Sequence, residues 1–248
     1  MREYFDINVM IGKPTVVQLD KWLTIDRLSV EMDRFNIKKA LVYHSYSRDY
    51  DAHFGNIHLI EEIAECSDIY PSWVLLPLDI FPLNNPEKLI EEFKKNNIRA
   101  IRLFPEFHNF LLEEEIIGDL LAPLEEIGIP VIVSPNKVGW KDIFNTLKNH
   151  PQLKLILVDL TYRNSSYVFP LLKRYKDVYI ELSGYIPFLG IEGIYRRFGA
   201  EQMVFGSNLP YKSPGATLFY IENADIPEEA KDLIAYKNAR RLIQEVKI

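Results

Sequence analysis

At 248 residues the chain has room for two small domains or one large α/β barrel, and a 48% hydrophobic share suits a globular core. A formal charge of -6 argues against a nucleic-acid partner, since binding phosphate backbones needs a clustered basic surface. No apolar run is long enough to span a bilayer, the opening "MREYFDINVM" lacks a signal-peptide pattern, and Cys66 is the single cysteine. The expected setting is therefore a reducing cytoplasm, without membrane, disulfide framework or thiolate metal cluster.

Short apolar, β-branched runs alternate along the chain with longer stretches of helical period. The first four expected strands are "YFDINVM" (4–10), "KALVYH" (39–44), "SWVLLP" (72–77) and "AIRLF" (100–104). Four more follow: "IPVIVS" (129–134), "LKLILVD" (153–159), "DVYIELS" (177–183) and "QMVFGS" (202–207). Between them lie amphipathic segments such as "LSVEMDRFNI", "PEKLIEEFKKN" and "LAPLEEIG", with stop signals at Gly128–Pro130 and Asn149-His150-Pro151.

Eight strands, each followed by a helix, is the repeat count of a (β/α)8 TIM barrel, one domain over residues 1–248. The rival, a doubly wound open sheet, would carry a glycine-rich phosphate loop after its first strand. That region reads "VMIGKPT", with one glycine. The C-terminal "PEEAKDLIAYKNARRLIQEV" reads as two short helices, the second closing the barrel.

In such a barrel the chemistry sits where the strands finish. Strand one offers Asn8 and Met10, two apart and so on one face. Strand two offers His44; strand four offers Arg102, with His108 just beyond. Strand five ends on Ser134 and strand six on Asp159, while strand seven carries Glu181 and strand eight runs into Asn208.

The order of these segments resembles the amidohydrolase-related branch of the amidohydrolase superfamily, metal-dependent hydrolases and decarboxylases of TIM-barrel fold. "FDINVMIG" stands for the opening D-x-H-x-H-x-G, "FGAEQMVFGSNLP" for a strand ending in G-S-D-x-P, and "KNARRLI" for the closing N-A-x-R-L helix. The resemblance places the two first-motif histidines at Asn8 and Met10. It puts the strand-five and strand-six histidines at Ser134 and Asp159, and the strand-eight aspartate at Asn208. None of the five keeps the family residue. A hydrolytic zinc needs three imidazole, thiolate or carboxylate ligands, and Asp159 is the lone charged group here, so an empty metal site and no cofactor are expected. An amide has no titratable proton acceptor, so Asn208 can orient a water or a ligand but cannot serve as the base.

Asp159 then reads either as a new base or as an anion tied to Arg163 or Arg102. Glu181, on one face with Tyr179 and Ser183, reads as an ion-pair partner of Arg102 or as a group in direct contact with substrate. His44 and His108 are the groups that titrate near neutrality, as ligand contacts or as satisfied structural histidines. Arg48 offers a planar fork for a substrate carboxylate, or an ion pair with Asp49 or Asp51. Two functional readings follow. In one, a hydrolase acts on a small carboxylated or cyclic ester or lactone substrate without tightly bound metal. Asp159 or His44 activates water, Asn208 donates to the oxyanion, and Arg102, Arg48, His108, Glu181, Asn8, Ser134 and Met10 surround the ligand. In the other, the same mouth binds a small, anionic molecule or a partner protein and catalyses nothing. A third reading, a structural subunit of an oligomer such as a homodimer, rests only on the habit of such barrels to pair.

Overall fold

The computed structural model describes residues 2–16 and 21–248. Eight parallel strands pair in chain order: β1 (Tyr4–Ile11), β2 (Ile37–His44), β3 (Ile69–Val74), β4 (Ala100–Arg102), β5 (Val131–Val133), β6 (Leu155–Leu157), β7 (Val178–Glu181) and β8 (Met203–Val204). The ends of the series meet through a parallel bridge between Val9 and Leu209. There the N–H groups of Ile7 and Met10 donate to Phe205 O (3.2 Å) and Leu209 O (2.9 Å). With helices in the intervals, this is a single-domain TIM barrel, the architecture that the eightfold alternation predicts.

Side-chain parity decides what each strand buries. Phe5, Ile7, Leu41, Ala100, Ile132, Ile156, Tyr179 and Val204 gather in one cluster inside the ring. Val42, Ile101, Val131, Leu155, Val178, Ile180 and Met203 point the other way and join a larger cluster with the helices. Both faces of every strand are thus covered, which is why the strand sequences read as nearly continuous apolar runs. The helices supply matching stripes: Leu28 and Met32 on residues 25–34, Leu89 and Phe93 on 86–95, Ile143 and Leu147 on 140–149. Thr24 and Asn85 cap the first two, accepting from the N–H groups of Arg27 and Lys88. Gly128, at φ 66°, ends the helix Glu114–Ile127 in the left-handed conformation that glycine adopts without a Cβ clash.

Each strand overlaps its expected segment with shifted ends, and β4 to β7 are shorter than expected, at Ala100–Arg102, Val131–Val133, Leu155–Leu157 and Val178–Glu181. The third sits at Ile69–Val74 rather than 72–77, because Pro71, which reads as a break, pairs with Val42 at the end of the β2–β3 ladder. The eighth contracts to Met203–Val204, and beyond it the Ser207 N–H turns to the Asp6 carboxylate (2.9 Å). The C-terminal segment is continuous rather than two separate helices: Glu228–Asp232, a π-helical turn over Leu233–Lys237, then Asn238–Gln244. Ala239, Leu242 and Ile243 enter the inner cluster, and the Lys247 N–H donates to Ile127 O just ahead of β5. This segment plugs the N-terminal end of the ring and leaves the opposite end open. No helix among the described residues is long and apolar enough to cross a membrane.

Candidate functional site

At the C-terminal ends of the strands a cavity of about 790 Å³ opens. Its shape begins with an irregularity in β1: Asp6 pairs with Ala40 and Val9 with Val42, so β1 spends three steps where β2 spends two. Such a bulge re-aims the side chains around it. The buried Asp6 carboxylate fixes the bulge, accepting from the N–H groups of Asn8 (3.0 Å) and Ser207 (2.9 Å). Asn8 is thereby turned to the cavity. Sequence reasoning passed over Asp6, because a single acid before the first motif carries no sign of the bulge it anchors.

Six of the ten residues singled out from the sequence line this cavity: Asn8, Arg48, Arg102, Ser134, Asp159 and Asn208. Arg102 dominates the floor. It is 2% exposed, its Nη2 donates to Ile7 O (2.9 Å), and its guanidinium lies 4.5 Å from the centroid of the Tyr43 ring. Its Nε–H is buried without a partner, and among the described residues it makes no ion pair. Burial lowers its pKa, while Tyr43, Asp159, Glu181 and Asp6 act in the opposite sense. Arginine starts so far above neutrality that the group stays cationic. A buried cation that lines a cavity has the charge and donors to meet an anion there.

Asp159 and Asn208 face each other across the mouth. Both adopt positive φ, 56° and 59°, a conformation that Asp and Asn tolerate better than other side chains. Asn208 Nδ2 donates a long bond to Asp159 Oδ1 (3.4 Å), and Asn136 Nδ2 holds the Asp159 carbonyl (2.6 Å). The expected tie to Arg163 is not made, since Arg163 Nε donates to the Tyr162 hydroxyl (3.0 Å). Asp159 therefore presents a carboxylate to the cavity without a cationic partner within ion-pair distance among the described residues. Ser134 adds a buried hydroxyl without a hydrogen-bond partner among the described residues.

Arg48 combines its two readings. Its guanidinium grips Asp49 through Nε (2.5 Å) and Nη2 (3.1 Å), and Nη1 donates to the Tyr211 hydroxyl (3.1 Å). The Phe107 ring lies 4.9 Å away. Asp51 takes no part and instead caps the helix Ala52–Glu62 through the Phe54 N–H (2.7 Å). Tyr43, Phe107, Asn136 and Tyr211 complete the wall, and none was singled out from the sequence. Parity could have found Tyr43, because Leu41 two residues earlier is inside the ring.

Four expected site residues lie off the cavity. His44 is one position out of phase with Tyr43, so it faces the helices and is 1% exposed. Its Nδ1 accepts from the Tyr46 N–H (3.0 Å), and burial lowers its pKa to about 4, so it is a neutral helix cap and not a base at the mouth. His108 bonds through Nε2 to Arg48 O (3.0 Å) and packs edge-on to Phe104, bracing the short helix Ser45–Asp49 that carries Arg48. Met10 lies behind Tyr211, whose hydroxyl reaches its sulfur at 3.8 Å. Glu181 makes no ion pair with Arg102. It is fully buried, bonded to Ser183 Oγ (2.9 Å), the Ser183 N–H and Asn8 Nδ2 (3.4 Å), and burial raises its pKa to about 8.

The donor set at the mouth does not fit a divalent metal. The Met10 sulfur is turned away to Tyr211, and Asn8, Ser134 and Asn208 offer only neutral oxygens. Asp49 and Glu106 also line the cavity, but they pair with Arg48 and Lys137. Asp159 remains as one carboxylate, beside a buried guanidinium that would repel a dication. Among the described residues the one close group of ligand-type side chains is His44, His58 and Glu62, away from the cavity. There the Tyr46 N–H occupies His44 Nδ1, which puts the proton on Nε2, facing Glu62 Oε2 at 3.6 Å. A metal-bound imidazole needs the reverse arrangement, with its outer nitrogen donating.

Comparison with solved structures gives the same fold over nearly the whole chain. The 2,6-dihydroxybenzoate decarboxylase from Rhizobium superposes with a TM-score of 0.76 at 14% identity, covering 98% of this chain and 99% of that one. A dihydroxybenzoic acid decarboxylase from Polaromonas, solved with manganese and the inhibitor 2-nitroresorcinol, gives 0.74 at 13% identity, covering 98% and 97%. The proposed 2-pyrone-4,6-dicarboxylic acid hydrolase of Pseudomonas putida gives 0.71 at 13% identity, covering 99% and 98%. No curated protein matches the chain in sequence. Residues 51–244 match the family model described as Amidohydrolase, and that span runs from the helix after β2 to the closing helix. The chain belongs to the amidohydrolase family.

Proposed function

We propose that the mouth takes a small carboxylated cyclic ester or lactone and hydrolyses it without a metal. The observation that carries this reading is Arg102: a buried guanidinium without an ion pair among the described residues, lining a cavity of small-molecule size. A carboxylate of the ligand would complete its hydrogen bonds, with Tyr43 and Phe107 flanking a flat ring. Structural neighbours described as a dihydroxybenzoate decarboxylase and a proposed pyrone-dicarboxylate hydrolase are consistent with such a ligand.

The chemistry falls to Asp159. Its free oxygen takes a proton from water as the hydroxyl adds to the ester carbon. The oxyanion receives the second Nδ2 hydrogen of Asn208. Collapse breaks the ring C–O bond, and the leaving oxygen recovers the proton from Asp159. A second reading, a binding protein without turnover, is favoured by one observation: none of the five histidines lines the cavity.

A panel of pyrone and lactone carboxylates, followed by ultraviolet absorbance and calorimetry, separates the two. Turnover that falls by about 100-fold or more in Asp159→Asn, with binding within a few-fold, supports the hydrolase. Binding without turnover supports the second reading, and absence of binding overturns both.

A further inference from the structure

We propose that Glu181 is a positioning residue for the mouth: it holds the Asn8 amide and decides whether its donor or its acceptor end meets the anionic group of the ligand. This rests on the reading of the cavity as a carboxylate site.

The geometry is specific. Glu181 is 0% exposed and does not line the cavity, whereas Asn8, which it touches, does. Gly206 leaves the room it occupies, since a Cβ there would come within 2.5 Å of Glu181 Cγ. Ser183 fixes the carboxyl through its N–H and its hydroxyl, so the remaining freedom lies in the Asn8 amide. In the structure Asn8 Nδ2 donates to Glu181 Oε2 at 3.4 Å. The Asn8 carbonyl oxygen then takes no hydrogen bond among the described residues and is left to the cavity. An acceptor in that place repels a carboxylate.

A proton on Glu181 reverses the arrangement. The carboxyl then donates to Asn8 Oδ1, the amide turns over, and its NH₂ group faces the ligand beside Arg102. The balance favours the proton: burial and the acids Asp159 and Asp6 oppose ionisation of Glu181 and outweigh the Ser183 N–H and hydroxyl, which favour it. The cations nearby are Arg102, across the ring, and Lys212, which donates to Ser183 O (3.1 Å) rather than to the carboxyl. Glu181 therefore carries its proton through neutral pH, and Asn8 and Arg102 together present donors to an anion.

The test has two arms. In the wild-type protein, carbon-13 and nitrogen-15 NMR follow the Glu181 carboxyl and the Asn8 side-chain amide from pH 6 to 10. One shared midpoint near 8 is expected, and an amide that ignores the carboxyl midpoint overturns the proposal. In the second arm, calorimetry measures benzoate binding. Wild-type affinity should fall about tenfold between pH 7 and pH 9, while Glu181→Gln, whose amide is always able to donate to Asn8, should stay flat. Equal pH dependence in both proteins overturns the proposal. If benzoate binds neither protein at any pH, the carboxylate reading of the mouth fails, and the NMR arm still decides whether Glu181 controls Asn8. That arm needs no variant, so a misfolded Glu181→Gln leaves the test standing.

Discussion

Replacing Glu181 by glutamine should stabilise the protein, and by an amount that depends on pH. The carboxyl is fully buried and its pKa is raised from 4.5 to about 8, chiefly by burial. A carboxyl whose folded pKa is raised contributes stability that is complete below the unfolded value and is lost as pH climbs through the folded one. Between 4.5 and about 8 the unfolded chain has released this proton and the folded chain has kept it. Each pH unit in that window removes about 1.4 kcal/mol, so about 5 kcal/mol disappears across it and about 3 kcal/mol by pH 7. Glutamine has no proton to lose. Its carbonyl can accept from the Ser183 N–H, and its NH₂ can meet Ser183 Oγ and a turned Asn8, so the bonds are kept. Urea denaturation at pH 5, 7 and 9 compares the two proteins. Glu181→Gln should gain on wild type as pH rises and level off above 8. A difference that is constant with pH would refute the assignment of a buried, protonated carboxyl.

Three further outcomes follow from the geometry. Gly206→Ala should cost about 1–3 kcal/mol in urea denaturation, because its methyl group meets Glu181 Cγ at 2.5 Å inside the ring. Protein prepared without chelator should contain well under one equivalent of zinc or manganese by elemental analysis, and EDTA should leave the melting temperature unchanged; a stoichiometric ion held at Asp159 sinks the donor-set argument. His44, with its pKa lowered to about 4, contributes stability above the ordinary value of 6.5 that is lost as pH falls toward 4. His44→Asn, which keeps an acceptor for the Tyr46 N–H, should show a flatter stability profile over that interval in thermal melts.

Much of the molecule was legible in its sequence. The alternation of apolar runs with helical stripes specified eight βα units, because a strand covered on both faces and a helix covered on one leave different hydrophobic periods. The rule that barrel chemistry gathers at strand ends then brought Asn8, Arg102, Ser134, Asp159 and Asn208 to one cavity. What the sequence left open was direction. One residue of phase sends His44 to the helices and Tyr43 to the cavity, and the last letter of a strand does not reveal its phase. The β1 bulge, the left-handed turns at Asp159 and Asn208, and the choice of Glu181 to bond Ser183 and Asn8 instead of Arg102 all depend on neighbours from distant strands. Those contacts exist only once the ring has closed, so tertiary structure alone decided which polar groups are paired and which are left for a ligand.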